Sequence, residues 1–492
     1  MNIKSVSKKE LLKQCAELGI LKCKSKTKSQ LMQLIQSVQS IKNASSTNAS
    51  SAIENVMVAG TPEHPSSRLA HDAIACTSTI VDNVPIPDLG PNLGPETDAN
   101  PPPYKFIDLF CGIGGFHQAL TKIHAQCVFA CDIDEKCRET YQSNYGLVPE
   151  GDITNIDIEA IPPFDILCGG FPCQPFSKAG YQKGFEDDRG NLFFHICKIV
   201  KRHRPKYLLL ENVRNLTSHD DGNTWKVIYE HIDKLDYYTY QTPVILNTLH
   251  FNVPQNRERV IILCKRKDLG ELPTLPPIPV NPKSTLTRHI RDILCETDTA
   301  RYGIDGKLKV VETVWNNFIR ILVQHRISMP KFPIWTDWWD NSFAEHDPFY
   351  VKYTSWIDKN REFYQDHRAV LEPWLVQSRS NKQWFGAVRK FEWQAGDLAE
   401  NDSMNTVLWS ARGSGIRVKR CDYIPTLVAM SMVPVYGPES RKLSPRELLR
   451  LQSFPDTFTF NEKTIYKQVG NAVNVRMIEQ CARFLILNES LF

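Results

Sequence analysis

KFIDLFCGIGGFHQALTKIHAQCVFACD (105–132) decides the fold class. KFIDLF (105–110) reads as a strand, GGFHQALTKI (114–123) as a helix and QCVFACD (126–132) as a second strand. A glycine-rich turn joins the first two. The alternation continues with a helix at EKCRETYQSNY (135–145), a buried strand at FDIL (164–167), a helix near 191–203 and a strand at KYLLLENV (206–213). A helix near 223–235 leads to YTYQTPVILN (238–247) and RVIILC (259–264), and the proline-rich ELPTLPPIPVNP (271–282) ends the run. Strands alternating with helices predict an α/β fold with a doubly wound, mostly parallel sheet.

At 492 residues, the chain has room for about two or three domains. It has 42% hydrophobic and 23% charged residues, with no run of about 18 apolar residues, so no membrane contact is expected. The start, MNIKSVSKKE, has no apolar signal core. Fourteen scattered cysteines then predict reduced thiols and an intracellular protein, in cytoplasm or nucleus. Cys127, Cys131 and Cys137 lie close together, but no matching Cys/His group follows, so no metal is expected. A net charge of +4 excludes a strongly basic chain; nucleic-acid binding would need cations concentrated locally.

The flanks differ from this middle. Residues 1–42 carry nine lysines on two short amphipathic helical patterns, with Leu11, Leu12, Cys15 and Leu18 on one face and Leu31, Leu34, Ile35 and Val38 on the other. This resembles a SAP-type DNA-binding module; a basic helical hairpin without that role is the alternative. Residues 43–103, rich in Ser, Thr, Asn, Ala and Pro, read as a disordered linker. Nine of the ten tryptophans fall within 300–410, including FPIWTDWWD (332–340). Filling a core is the ordinary use of tryptophan, and stacking on bases is the other use open to them. LSPRELLRLQSFP (443–455) predicts a helix capped by Ser444 with Pro445 at its first position, and a last helix follows at about 474–487.

The chemistry-bearing residues lie at strand ends. GGFPCQPFS (169–177) puts Cys173 on a loop stiffened by Pro172 and Pro175, where open α/β sheets place their reactive groups. A fixed thiol suits a nucleophile; a buried structural cysteine is the plain alternative. In DLFCGIGG (108–115), the glycines let a ligand approach a helix N-terminus, and Asp132 ends the next strand, where it could accept hydrogen bonds from ribose hydroxyls. Asp152, in GDIT, is read as ending the third strand region, within reach of an adenine amino group; capping a helix is its other reading. Glu211 follows the apolar YLLL, where a carboxylate needs a partner or a role. Arg257 and Arg259 in QNRERVII (255–262) are two apart and share one side of a strand, able to clamp a phosphate or orient a base, or to pair with Glu211.

In order, DLFCGIGG, GGFPCQPFS, ENV, QNRER, a long variable stretch, LSPRELLRLQSFP and QVGNAV (468–473) resemble the C5-cytosine-specific DNA methyltransferases. The resemblance covers about 104–275 and 410–485. It implies the S-adenosylmethionine-dependent methyltransferase fold with an inserted target-recognition domain. The catalytic domain would span 104–280 and 441–492, and the recognition domain 281–440. Double-stranded DNA would be the substrate and S-adenosylmethionine the cofactor. A companion restriction nuclease would be a partner if the chain is the protective half of a restriction system.

Residue by residue, the resemblance makes Cys173 the nucleophile on cytosine C6 and Glu211 the group at N3 and the exocyclic amine. Arg259 would contact O2, with Arg257 its structural and backbone-binding companion. Gln174 and Ser177 would lie near a flipped nucleotide. Phe110, Gly112, Gly115, Asp132, Ile133, Asp152 and Asn471 would line the cofactor site. Asp132 stands where many members carry Glu, and Ile133 where some carry an aromatic residue. Arg412, Arg417, Lys419 and Arg420, ahead of PTLVAMSMVPVYG (425–437), would supply charge for phosphates or guanine edges. Two other readings remain: a tRNA cytosine methyltransferase, whose Cys-Phe-Thr element is missing, and a non-catalytic DNA-binding protein of the same fold.

Overall fold

The computed structural model describes residues 104–172, 192–295, 299–339, 348–429 and 432–492. The SAP-like segment, the linker, Cys173, Gln174 and Ser177 lie outside the described residues.

The first sheet is built from β1 (Tyr104–Leu109), β2 (Ala125–Cys131), β3 (Ile166–Gly170), β4 (Tyr207–Val213), β5 (Tyr237–Thr239), β6 (Val244–Asn247) and β8 (Glu258–Arg266), with β7 (Gln255–Asn256) just before the last. The helices α1 (Gly115–Thr121), α2 (Glu135–Tyr145), α3 (Leu192–His203) and α4 (Asn223–Lys234) alternate with these strands. The order is β2-β1-β3-β4-β8-β5, with β6 also pairing β8. Pairing is parallel from β2 to β4 and antiparallel wherever β8 joins. The stretch read as one strand over 238–247 is two, β5 and β6. No crossover helix separates them from β8, so antiparallel pairing is what their short connections allow.

Strand alternation sends Phe106 and Cys168 to one face and Ile107, Leu109 and Leu167 to the other, each into its own core. Burial on both faces is why these strands read as nearly continuous apolar runs.

The second sheet follows in the chain. Helices α5 (Gly306–Gln324), α6 (Pro348–Asp366) and α7 (Arg368–Arg379) accompany strands β9 (Ile334–Trp335), β10 (Lys390–Trp393), β11 (Leu408–Arg412), β12 (Gly415–Lys419), β14 (Val435–Tyr436) and β15 (Arg441–Lys442). Its order is β15-β14-β11-β12-β10-β9. Trp315, Trp339, Trp374, Trp384, Trp393 and Trp409 fill its core, the ordinary use of the residue. Trp335 is half-buried, and Trp356 is 44% exposed. A short β13 (Ile424–Pro425) lies outside this sheet and pairs in parallel with β7, which precedes β8 of the first sheet.

The chain then returns as α8 (Pro445–Leu451), α9 (Ile465–Asn471) and α10 (Val475–Leu487). Ser444 caps α8 in a reciprocal capping box with Glu447. Helix α10 packs on α1, and Lys122 pairs with Glu479 at 3.0 Å. No helix among the described residues is long and apolar enough to cross a membrane.

Candidate active site

Two strand ends meet at the centre. Gly170, the last residue of β3, stands directly beside Glu211 of β4. A Cβ built on Gly170 would lie 3.5 Å from Glu211 Oε2. Two residues later, Pro172 is the last described residue before Cys173. The entrance to that loop is fixed from β4: buried Asn212 donates from Nδ2 to the Phe171 carbonyl at 2.8 Å. Its own Oδ1 accepts from the Val213 amide at 2.8 Å. The ENV motif therefore places two hydrogen-bonded side chains at this strand end. Only the glutamate was singled out from the sequence, although a buried asparagine at a strand end already calls for partners.

Glu211 is 8% and Arg259 9% exposed. Arg259 Nε donates to Glu211 Oε1 at 2.7 Å, and its Nη1 donates to the Glu258 carbonyl at 2.7 Å. A buried carboxylate requires such a partner. The second carboxylate oxygen faces Gly170 and the start of the cysteine loop.

Arg257 is not part of a clamp with Arg259. At 1% exposure its guanidinium must find acceptors inside the protein. Nη1 donates to the carbonyls of Leu427 (3.0 Å) and Gly470 (3.2 Å), and Nη2 to that of Ala472 (2.8 Å). Burial, with Arg259 nearby, lowers its pKa to about 9. Gln255, not anticipated, completes the tie: Oε1 accepts from the Leu427 amide at 3.1 Å, and Nε2 donates to the Leu451 carbonyl at 3.0 Å. Both polar groups of the Leu427 backbone are thus held by side chains of β7 and the residue after it.

The glycine turn forms the second half of the site. Phe110, Gly112 and Gly114 all have positive φ, and Gly112 has no atom within 4 Å of where a Cβ would lie. That side is open to a ligand. Gly115 serves a different purpose: its Cβ would meet Val473 Cγ2 at 2.6 Å, so it lets the segment containing Asn471 close onto the turn. Asn471 itself is exposed. Asp132 accepts from the Gly112 amide (Oδ2, 2.8 Å) and the Asp134 amide (Oδ1, 2.8 Å), which leaves lone pairs on both oxygens. Burial raises its pKa, and these bonds oppose the rise. Ile133 next to it is 74% exposed, an apolar side chain available to cover a planar ring.

Asp152 is not on a strand of the sheet. The segment before it touches β2 through a single bridge, Cys131–Glu150. Asp152 accepts from the Thr154 amide at 2.9 Å and caps a short helical turn, and that bond lowers its pKa. It also lines a cleft of ≈ 640 Å³ beside β2.

Asp108 was missed. Both carboxyl oxygens are buried without a hydrogen-bond partner. Burial raises its pKa well above the usual range; the His117 amide and Tyr141 hydroxyl lie near enough to oppose this only in part. An aspartate inside an apolar strand was the available signal.

The four cations expected at the DNA surface divide. Arg420 is taken up internally, by Asp402 and by the carbonyls of Ala395 (2.7 Å) and Asp397 (3.1 Å), because it sits where the chain leaves β12 over that loop. Arg412, Arg417 and Lys419 remain on one face of the second sheet. Arg417 pairs with Glu392 at 3.1 Å, and Arg412 donates to Ser410 Oγ at 3.4 Å.

Comparison with known proteins identifies the family. The sequence profile of the C-5 cytosine-specific DNA methylases matches residues 104–486. The Type II methyltransferase M.HhaI of Haemophilus parahaemolyticus is 31% identical, covering 77% of this chain and 93% of its own. M.HpaII of Haemophilus parainfluenzae is 33% identical, covering 81% and 92%. Among solved structures, the S. pombe Dnmt2 methyltransferase matches 78% of this chain and 99% of its own, at 17% identity and a TM-score of 0.41. With the profile spanning most of its length, the chain belongs to the C-5 cytosine-specific DNA methylase family and is a DNA cytosine-5-methyltransferase.

Proposed function

We propose that this chain methylates C5 of cytosine within a specific sequence of duplex DNA, using S-adenosylmethionine, through a covalent bond between Cys173 and C6 of a flipped-out base. The observation that carries this reading is the buried Glu211–Arg259 pair at the end of β4, beside the strand that leads into Pro172 and Cys173.

The residues present fit the cofactor. Gly112 leaves open space at the turn, Asp132 keeps acceptor capacity for ribose hydroxyls, and Ile133 offers an apolar surface for the adenine. When bound, S-adenosylmethionine supplies an electrophilic methyl group on a sulfonium.

The Cys173 thiolate adds to C6 of cytosine, and the electron pair displaced from the C5–C6 double bond makes C5 nucleophilic. Glu211 hydrogen-bonds N3 and the exocyclic amine as charge develops there. Arg259 holds Glu211 and would contact the base O2. After methyl transfer, C5 loses its proton, the double bond reforms and the thiolate leaves. The base must come out of the duplex for the thiol to reach it, at a cost of a few kcal/mol. Relatives that are Type II methyltransferases support a place in a restriction–modification pair, with a nuclease as partner.

Incubation with tritiated S-adenosylmethionine and either unmethylated duplex DNA or tRNA tests this. Label at C5 of cytosine in one short DNA motif is expected. Label confined to tRNA would overturn the substrate.

A further inference from the structure

The sequence left open whether any tryptophan of the second sheet meets DNA. Six of them fill its core, and strand register singles out Trp335. Lys390 stands directly opposite Trp335, Glu392 opposite Arg417, Ser410 opposite Arg417 and Arg412 opposite Gly415. All of these lie on the face away from the tryptophan core, because Ile334, Phe391, Ile416, Val418 and Trp409 take the alternate positions and are buried in it.

That outer face is covered at one end. Arg412 and Ser410 line a cavity of ≈ 130 Å³ closed by Leu448, Tyr466 and Val469 of the catalytic half. Toward β10 and β9 the side chains are partly exposed. The face carries four cations, Lys390, Arg412, Arg417 and Lys419, with the carboxylate of Glu392 among them and that of Asp337, paired with Arg389, at the β9 edge. From β11 to β9 is three strand spacings, about 14 Å. That is comparable with the ~12 Å width of a DNA major groove.

Lys390 and Lys419 both hold the ammonium 5.2 Å from an aromatic ring, Trp335 and Tyr423, and Lys390 is the one beside the edge strand β9. Arg417 is paired with Glu392. Lys390 has no ion pair among the described residues, and its Nζ lies 5.2 Å from the centre of the Trp335 ring. The indole is itself fixed: Nε1 donates to Asp337 Oδ2 at 3.3 Å, and the ring packs 4.6 Å from Trp338. Gly415 allows the Lys390 stem to approach the hairpin between β11 and β12, since a Cβ there would meet Lys390 Cβ and Cγ at 3.0 Å.

We infer that Lys390, held over Trp335, contacts a phosphate of duplex DNA flanking the target cytosine, extending the recognition face to the edge of the Trp-rich sheet. The inference rests on the proposed action on DNA. A cation on an aromatic face keeps its charge while losing little water, so it can turn to a phosphate at low cost. Such a contact raises affinity for every sequence alike and does not choose the base.

The test is a salt titration of full-length protein binding to a labelled duplex, together with steady-state kinetics. Lys390→Gln should raise Kd about tenfold near 0.1 M salt and lower the salt slope by about 0.9, as loss of one phosphate contact requires. The loss should appear in KM for DNA rather than in kcat, at the same methylated cytosine. Lys390→Arg should restore the slope, and Trp335→Phe should retain it where Trp335→Ala does not. An unchanged Kd and slope in a Lys390→Gln protein with wild-type thermal unfolding would overturn the inference. If the wild-type chain bound no duplex, the proposed function would fail first, and this inference with it.

Discussion

Asn212 Nδ2 donates to the Phe171 carbonyl at 2.8 Å, so the strand that carries Glu211 also holds the chain two residues before Cys173. Glu211 and the approach to Cys173 thereby share one strand end. Asn212→Ala leaves a buried carbonyl unpaired, costing about 1–3 kcal/mol. It should also lower kcat about tenfold or more through misplacement of the loop. Single-turnover methylation alongside cofactor binding checks this; wild-type kcat in the variant would contradict the anchoring role.

Glu211→Gln keeps the shape but removes the carboxylate that pairs with Arg259 at 2.7 Å. Methyl transfer should fall about a hundredfold or more, in the range for lost acid–base assistance. Binding of duplex should persist. A variant that methylates at the wild-type rate would remove Glu211 from the chemistry.

Two glycines of one turn should differ in their effect on cofactor binding. Gly115→Ala drives a Cβ into Val473, so it should lower stability by about 1–3 kcal/mol, measured by denaturant unfolding. Gly112→Ala meets no atom, and its positive φ costs only about 1–2 kcal/mol. Its main effect should be weaker S-adenosylmethionine binding by calorimetry. Equal cofactor affinity in Gly112→Ala and wild type would move the ligand away from this turn.

Asp108 predicts a pH dependence. Its folded pKa is raised by burial, so the folded chain holds a proton that the unfolded chain releases. That contribution is fully present below the ordinary carboxylate pKa of about 4 and is lost as pH rises toward the folded value. Asp108→Asn, neutral at every pH, should lack this decline. Stability of the cofactor-free variant relative to wild type should therefore grow as pH rises above about 4. Parallel stability curves would show that Asp108 is not held protonated.

Much of this site could be read in the sequence, for a local reason. Glu211 and the glycine turn sit at ends of strands buried on both faces, where apolar runs and glycines mark position without tertiary information. What escaped depended on contacts distant along the chain. Nothing local to Arg257 shows that its acceptors lie at Leu427, Gly470 and Ala472, 170 to 215 residues away. Arg420 looked like part of a basic cluster because Asp402 is 18 positions upstream. The parallel–antiparallel change at β8 was hidden because strand pairing is not a property of one segment. Trp335 could be separated from the core tryptophans only by register.

The most direct measurement is adduct formation with duplex DNA carrying 5-fluorocytosine at the mapped target, in the presence of S-adenosylmethionine. Fluorine at C5 cannot leave as a proton does, so an intermediate bonded through C6 should persist through denaturation. The account predicts a wild-type adduct of protein plus DNA mass, with the modification mapped to Cys173, and none in Cys173→Ala. An adduct that survives in Cys173→Ala, or wild-type methylation of cytosine C5 by that variant, would contradict it.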